Sequence, residues 1–198
     1  MAIKSLSLAA TLSDEKFDMI YEPVVKRLSS VHWTPVAVAL KASGWLVQKE
    51  GDRILDIGSG AGKFCFVGAI STVGHFTGVE KVKKLSDISK KIQQRENIQN
   101  INFLLDDIKN IPLTGYTGIY FYNAFHELIL EDDTIENPAL IAEQMYYDYS
   151  NYLYEQLENL PVNTRLVTYY GHINQVPNNY KLVDSDFEHE LKFWIKEN

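Results

Sequence analysis

Apolar positions along the chain follow two alternating periods. Short runs rich in β-branched and aromatic residues, RILDI at 53–57, HFTGVE at 75–80, INFLL at 101–105, GIYFYN at 118–123 and TRLVTYY at 164–170, read as strands. Between most of them lie stretches with helical spacing, at 63–70, 82–96 and 137–160. Such repetition predicts an α/β fold, a Rossmann-like doubly wound sheet that is mostly parallel and covered on both faces. The ending breaks the pattern, because only GHINQVPNN separates TRLVTYY from YKLVDSD, too short for a crossover helix. Leu191, Phe193 and Ile195 then alternate with Lys192, Trp194 and Lys196. A terminal antiparallel hairpin is therefore expected on one side of the sheet.

Ahead of the first strand the pattern is helical. Residues 13–30 suit a helix capped by Ser13, which Pro23 should bend or divide. Thr34 before Pro35 predicts a second helix start, a hydroxyl cap and then a residue with φ already fixed, running to about Leu46. The expected organisation is an N-terminal helical cover over residues 1–50 and a ligand-binding domain over 51–198, one compact unit of 198 residues. In the tyrosine-rich QMYYDYSNYLYEQL, rings are expected on the sheet and hydroxyls in water.

Charge narrows the partners. A net charge of -7 argues against broad docking on nucleic acid, and the lysines at 81, 83, 84, 90 and 91 read as a solvated face. Cys65 is the sole cysteine, so neither an internal disulfide nor a cysteine metal cluster is expected; it reads as a small buried apolar residue. The acidic EDD at 131–133 reads as a charged loop, and no metal site is expected. No run approaches the roughly 20 apolar residues of a membrane span, and the opening MAIKSLSLAATLSDEK is unlike a secretory signal. Cytoplasmic location is the expectation.

The chemistry concentrates in ILDIGSGAGKF at 54–64. Gly58, Gly60 and Gly62 follow a buried strand and precede a helix, where backbone can approach a ligand without Cβ atoms in the way. A dinucleotide fingerprint wants a small residue where Lys63 stands, and a phosphate-binding Walker loop wants a hydroxyl where Phe64 stands. A nicotinamide-dependent oxidoreductase is therefore disfavoured. Asp56 would repel a pyrophosphate but suits a cationic ligand, and Glu80 lies 18 residues past the last glycine, near the roughly 20 at which a carboxylate meets ribose hydroxyls. S-adenosylmethionine, with ribose, ammonium and sulfonium, satisfies both.

With these residues in view, the chain resembles the class I S-adenosylmethionine-dependent methyltransferases. DIGSGAG is similar to their first motif and GVE to their second, while FLLDDI and YFYNAF fall where their third- and fourth-strand motifs belong. The resemblance covers roughly residues 51–170. It implies that the loop with Gly58, Ser59, Gly60 and Gly62 holds the methionyl part, that Asp56 meets its amino group and that Glu80 holds the ribose. It also implies that Asp107 takes the adenine amino group with Ile108 beside the ring, Asp106 being the competing choice. A narrower likeness joins HWTPVAVALKASGWL, the glycine motif and GVEK to the non-SET lysine methyltransferases of the disruptor-of-telomeric-silencing type. YNAFHE departs from their fourth motif, so no histone substrate is carried over.

Methyl transfer from a sulfonium asks mainly for orientation and a deprotonated nucleophile. Asn123, His126 and Glu127 follow the fourth strand, where His126 would take a proton and Glu127 orient it or bind a cation; equally, Asn123 would end the strand and the other two open a helix. His32 and Thr34 stand at a helix start expected to fold over the cofactor, where helix amides can hold the methionyl carboxylate, and His172 is a third candidate. The expected acceptor is an N or O nucleophile of a protein side chain or small molecule. The rival from another class is a non-catalytic cofactor-binding partner subunit.

Overall fold

The computed structural model describes residues 12–26, 33–122, 138–171 and 175–198. Strands β1 (Arg53–Ile57), β2 (His75–Glu80), β3 (Ile101–Leu105), β4 (Gly118–Tyr122), β5 (Arg165–Tyr169), β6 (Tyr180–Asp186) and β7 (Leu191–Lys196) form one sheet in the order β3-β2-β1-β4-β5-β7-β6. Strands β1 to β5 pair in parallel, and β7 runs antiparallel to β5 and β6. The doubly wound sheet and its terminal hairpin are as the pattern predicts.

Both faces of the sheet are covered, which is why β1 and β4 read as continuous apolar runs. Helices α1 (Val36–Leu46), α2 (Lys63–Ser71) and α3 (Lys83–Glu96) close one face; α4 (Pro138–Glu158) and the short turns at Ile108–Asn110 and Leu113–Gly115 close the other. Phe17, Ile20, Tyr21 and Trp33 from the N-terminal segment share the first core with α1 and α2. Helix α2 is thereby enclosed, and KFCFVGA is buried from Lys63 through Ala69.

Three local expectations change. Ser13 does cap, its Oγ accepting the Lys16 N–H at 3.4 Å, but the helix is one turn at Asp14–Phe17, a 3-10 turn at Asp18–Ile20 and a new turn at Pro23–Lys26. Proline thus divides the segment. Thr34 does not cap α1; the cap is Pro35 in extended geometry, and the Val36 N–H goes instead to Asp14 Oδ1 at 3.0 Å. Its hydroxyl is free to pair with the Tyr120 phenol at 2.9 Å. Trp194 is also buried, donating from Nε1 to Thr168 Oγ1 at 3.1 Å, because β7 is an inner strand covered on both faces and not a half-solvated edge.

Candidate active site

The strand order reverses between β1 and β4, and the glycine loop leaves β1 at that point. Its first turn is tied to the second strand, since the Gly58 and Ser59 N–H groups both donate to the Val79 carbonyl at 2.9 and 3.0 Å. Two glycines then have different reasons. A Cβ on Gly62 would come within 2.5 Å of the Phe103 ring, so this glycine lets the helix start pack on β3. Gly60, at φ +55°, faces open space where its Cβ would be. A ligand can approach its backbone.

Glu80, the last residue of β2, is buried and clamps this loop. Its Oε2 accepts the Gly60 N–H at 2.8 Å and its Oε1 accepts the Val82 N–H at 2.7 Å. Its carboxylate thus lies against the backbone of the glycine loop. Ser59 is packed over Gly78, and its buried Oγ has no hydrogen-bond partner among the described residues. A nucleoside with hydroxyl donors and a cationic end fits this set.

Asp56 is buried at the same edge, 3.4 Å from the Cys65 thiol that donates to it. Cys65 is thus buried as expected, but with a polar contact. Burial pushes the Asp56 carboxyl up to about 7; the Cys65 hydrogen bond opposes the rise and the charge of Glu80 adds to it. The sign follows from linkage: a carboxyl raised from its ordinary value of about 4 binds its proton more tightly when folded, so its contribution to stability is full below about pH 4 and is lost as pH rises through about 7. A cationic ligand favours the ionised form. Affinity for S-adenosylhomocysteine, which carries an ammonium, is accordingly expected to be about tenfold lower at pH 6 than at pH 8, with proton release on binding; Asp56→Asn should flatten the profile, measured by calorimetry in two buffers.

Lys63, invoked above only to exclude other loops, has a role the sequence did not disclose. Its side chain is 3% exposed, with Nζ 2.6 Å from Asp14 Oδ1 and 2.8 Å from Asp18 Oδ1. The rings of Phe17 and Trp33 flank it at 5.9 and 6.0 Å. With the Tyr21 hydroxyl donating to the Ala61 carbonyl at 3.2 Å, these contacts fasten residues 12–21 to the glycine loop. The four-residue spacing of Asp14 and Asp18 was the available signal.

At the other end of the site, Asp107 opens a 3-10 turn through Oδ1, which accepts the Lys109 N–H at 3.0 Å. Its Oδ2 accepts from the Tyr149 hydroxyl of α4 and lies 3.1 Å from Lys81 Nζ, which itself donates to Tyr149 Oη at 2.9 Å. Burial pushes the Asp107 carboxyl up, but the Tyr149, Lys109 and Lys81 donors outweigh it and hold the group below its ordinary value. Asp106 accepts from the Asp107 N–H and the Asn110 amide, each at 2.8 Å, and Ile108 is buried beside them. Tyr149 therefore does not send its hydroxyl to water, and Lys81, although its side chain is 45% exposed, pairs with Asp107 and Tyr149 from a position before the helix. Helix α3 begins only at Lys83.

Thr34 is brought beside Tyr120, itself stacked on Phe64 at 3.8 Å between centroids, and the Val36 N–H at the helix start is already taken by Asp14. This helix start therefore lacks one of the donors expected for a methionyl carboxylate. Asn123, His126, Glu127, His32 and His172, and the acidic run at 131–133, lie outside the described residues. Among the described residues no group of three or more His, Cys, Asp or Glu could hold a metal, and no helix is long and apolar enough to cross a membrane.

Residues 48–165, well over half of the chain, match the family described as Methyltransferase domain. The chain belongs to that family and is an S-adenosylmethionine-dependent methyltransferase domain of class I architecture. An arsenite methyltransferase of Halobacterium salinarum is 31% identical over 65 residues, 32% of this chain and 17% of that protein. The chain thus matches less than a fifth of that relative's length. Among solved structures, an S-adenosylmethionine-dependent methyltransferase from Aquifex aeolicus superposes with a TM-score of 0.53 at 15% identity, over 93% of this chain and 97% of the other. A Thermotoga maritima O-methyltransferase gives 0.55 at 16%, over 89% and 72%. An RNA methyltransferase from Salinibacter ruber, in complex with S-adenosyl-L-homocysteine, gives 0.51 at 16%, over 90% and 93%. At these identities the likeness is one of fold. The comparisons do not show the narrower likeness to non-SET lysine methyltransferases.

Proposed function

We propose that this chain transfers a methyl group from S-adenosylmethionine to a nitrogen or oxygen nucleophile of a protein side chain or small molecule. The observation that carries the reading is the pair of buried carboxylates, Asp56 and Glu80, bracketing a glycine loop whose Gly60 faces open space. When bound, the cofactor supplies an electrophilic methyl on a sulfonium. Glu80 would accept from the ribose, Asp56 would face the ammonium, and Gly58, Ser59, Gly60 and Gly62 would hold the methionyl part. Asp107 and Ile108 would meet the adenine, with Tyr149 and Lys81 fixing the carboxylate. The segment fastened through Lys63 would cover the loop, as part of a cover formed by residues 1–50.

Catalysis then asks for a nucleophile held in line and free of its proton. His126 is the proposed base, Glu127 and Asn123 its companions at the end of β4, and His32 the contribution of the cover. The test is S-adenosylhomocysteine formation from S-adenosylmethionine in the presence of a lysine-containing peptide or a metabolite fraction. His126→Ala should lower kcat about a hundredfold while leaving S-adenosylhomocysteine affinity unchanged. Tight cofactor binding without turnover in either pool would favour the non-catalytic partner subunit.

A further inference from the structure

Three tyrosines at the carboxyl ends of β4 and β5 take no part in the cofactor contacts described above. Tyr122 and Tyr169 are paired in register on neighbouring strands, with ring centroids 4.9 Å apart. Tyr170 contacts both, at 6.2 Å from Tyr122 and 4.6 Å from Tyr169. The register pairs Asp56 with Tyr120 and Ile57 with Phe121, so Tyr122 stands level with Gly58 at the mouth of the glycine loop. The patch adjoins the place where the cofactor's reacting end would lie.

Packing alone does not explain this patch. Tyr169 is 7% exposed and closes the core, whereas Tyr170 is 49% exposed although its ring rests on the other two. Its backbone also adopts φ +50°, a left-handed conformation that tyrosine rarely takes. The Tyr170 N–H is held by the Glu190 carbonyl at 3.1 Å, which fixes the turn and places Glu190 opposite Tyr170. Glu190 also brings a carboxylate close enough for its charge to act on the Tyr169 phenol. Aromatic faces with a neighbouring carboxylate attract a cation and offer little to a neutral alcohol.

We propose that Tyr122, Tyr169 and Tyr170, with Glu190, form the acceptor subsite and bind an alkylamine in its cationic form, which makes the acceptor a nitrogen nucleophile. This deepens the methyltransferase reading and rests on it. The bound ammonium first gives up one proton, through the proposed base, to solvent; the freed lone pair then forms the new C–N bond, the C–S bond breaks with its electrons retained by sulfur, and the methylated nitrogen is again cationic before it releases a proton to solvent. Positive charge on nitrogen thus grows during transfer, where ring faces stabilise it more than in the neutral amine.

The test is calorimetric titration of the full chain, free and loaded with S-adenosylhomocysteine. The probes are n-butylamine as a metabolite-like amine, Nα-acetyl-lysine amide as a side-chain amine, and 1-butanol as the uncharged control. At least one amine should bind, at least tenfold more tightly than 1-butanol, and whichever amine binds better identifies the source. Tyr170→Asn tolerates the left-handed backbone, so the fold should persist; it should lose amine affinity tenfold or more with S-adenosylhomocysteine affinity unchanged. Tyr170→Phe keeps the ring and should retain amine binding. Equal binding of 1-butanol and the amines, no amine binding, or an unaltered amine affinity in Tyr170→Asn would overturn the proposal. Failure of the wild type to bind S-adenosylhomocysteine would instead overturn the methyltransferase reading, and the amine titrations of the free protein would still report on the tyrosine patch.

Discussion

Glu80→Ala is expected to weaken S-adenosylhomocysteine binding at least a hundredfold while the domain stays folded. The carboxylate accepts from the Gly60 and Val82 N–H groups, and the same group is the one proposed to accept from the ribose hydroxyls. Losing charge-assisted hydrogen bonds to two hydroxyls is worth about 3 kcal/mol or more, which is the stated hundredfold. Both N–H groups would also lose their acceptor, so a stability loss of about 1–3 kcal/mol should accompany it. Glu80→Gln is the sharper variant, since one of its amide ends would present N–H to an N–H donor. Calorimetry gives the affinity and thermal denaturation the stability; unchanged affinity in a folded Glu80→Ala would remove Glu80 from the site.

The second large effect is on stability. Lys63→Ala should destabilise the domain by about 3 kcal/mol, because it leaves the Asp18 side chain, 6% exposed, without its cation. Asp14, 46% exposed, can turn to water and suffers less. Lys63→Met fills the same space but still strands Asp18, so it should lose nearly as much; adding Asp18→Asn should recover part of the loss. Thermal unfolding checks the sum, and hydrogen exchange at residues 12–21 checks the place. Protection there should fall before it falls in β1 or β4. Equal protection in the variant would mean that the ion pair does not fasten the segment.

How legible this site was depends on the range of each interaction. The gathering of Gly58, Gly60, Gly62, Asp56 and Glu80 at one edge of the sheet was readable because an acidic residue stands at or next to the end of each buried parallel strand, and the sheet order places those ends together. The role of Lys63 was not legible because its partners, Asp14 and Asp18, lie on a segment whose docking no local pattern announces. Thr34 before Pro35 looks like a cap by local rules, yet Asp14 supplies an acceptor for the helix start and Tyr120 takes the hydroxyl. Tyr149 failed for a similar reason: helical spacing puts it with Leu153 and Leu157 on the sheet-facing stripe, while the target of its hydroxyl is set by where Asp107 emerges from β3. Trp194 broke the alternation rule because β7 lies between two strands with cover on both faces.

S-adenosylmethionine is the ligand proposed for the glycine loop and its two buried carboxylates. The most direct test is a calorimetric titration of the purified chain with S-adenosylhomocysteine at pH 8, with NADH in a parallel cell. Saturable one-site binding of S-adenosylhomocysteine is expected, abolished or nearly so in Glu80→Ala, with no heat from NADH beyond dilution. Saturable NADH binding, or a folded chain that takes up neither ligand, would contradict this assignment.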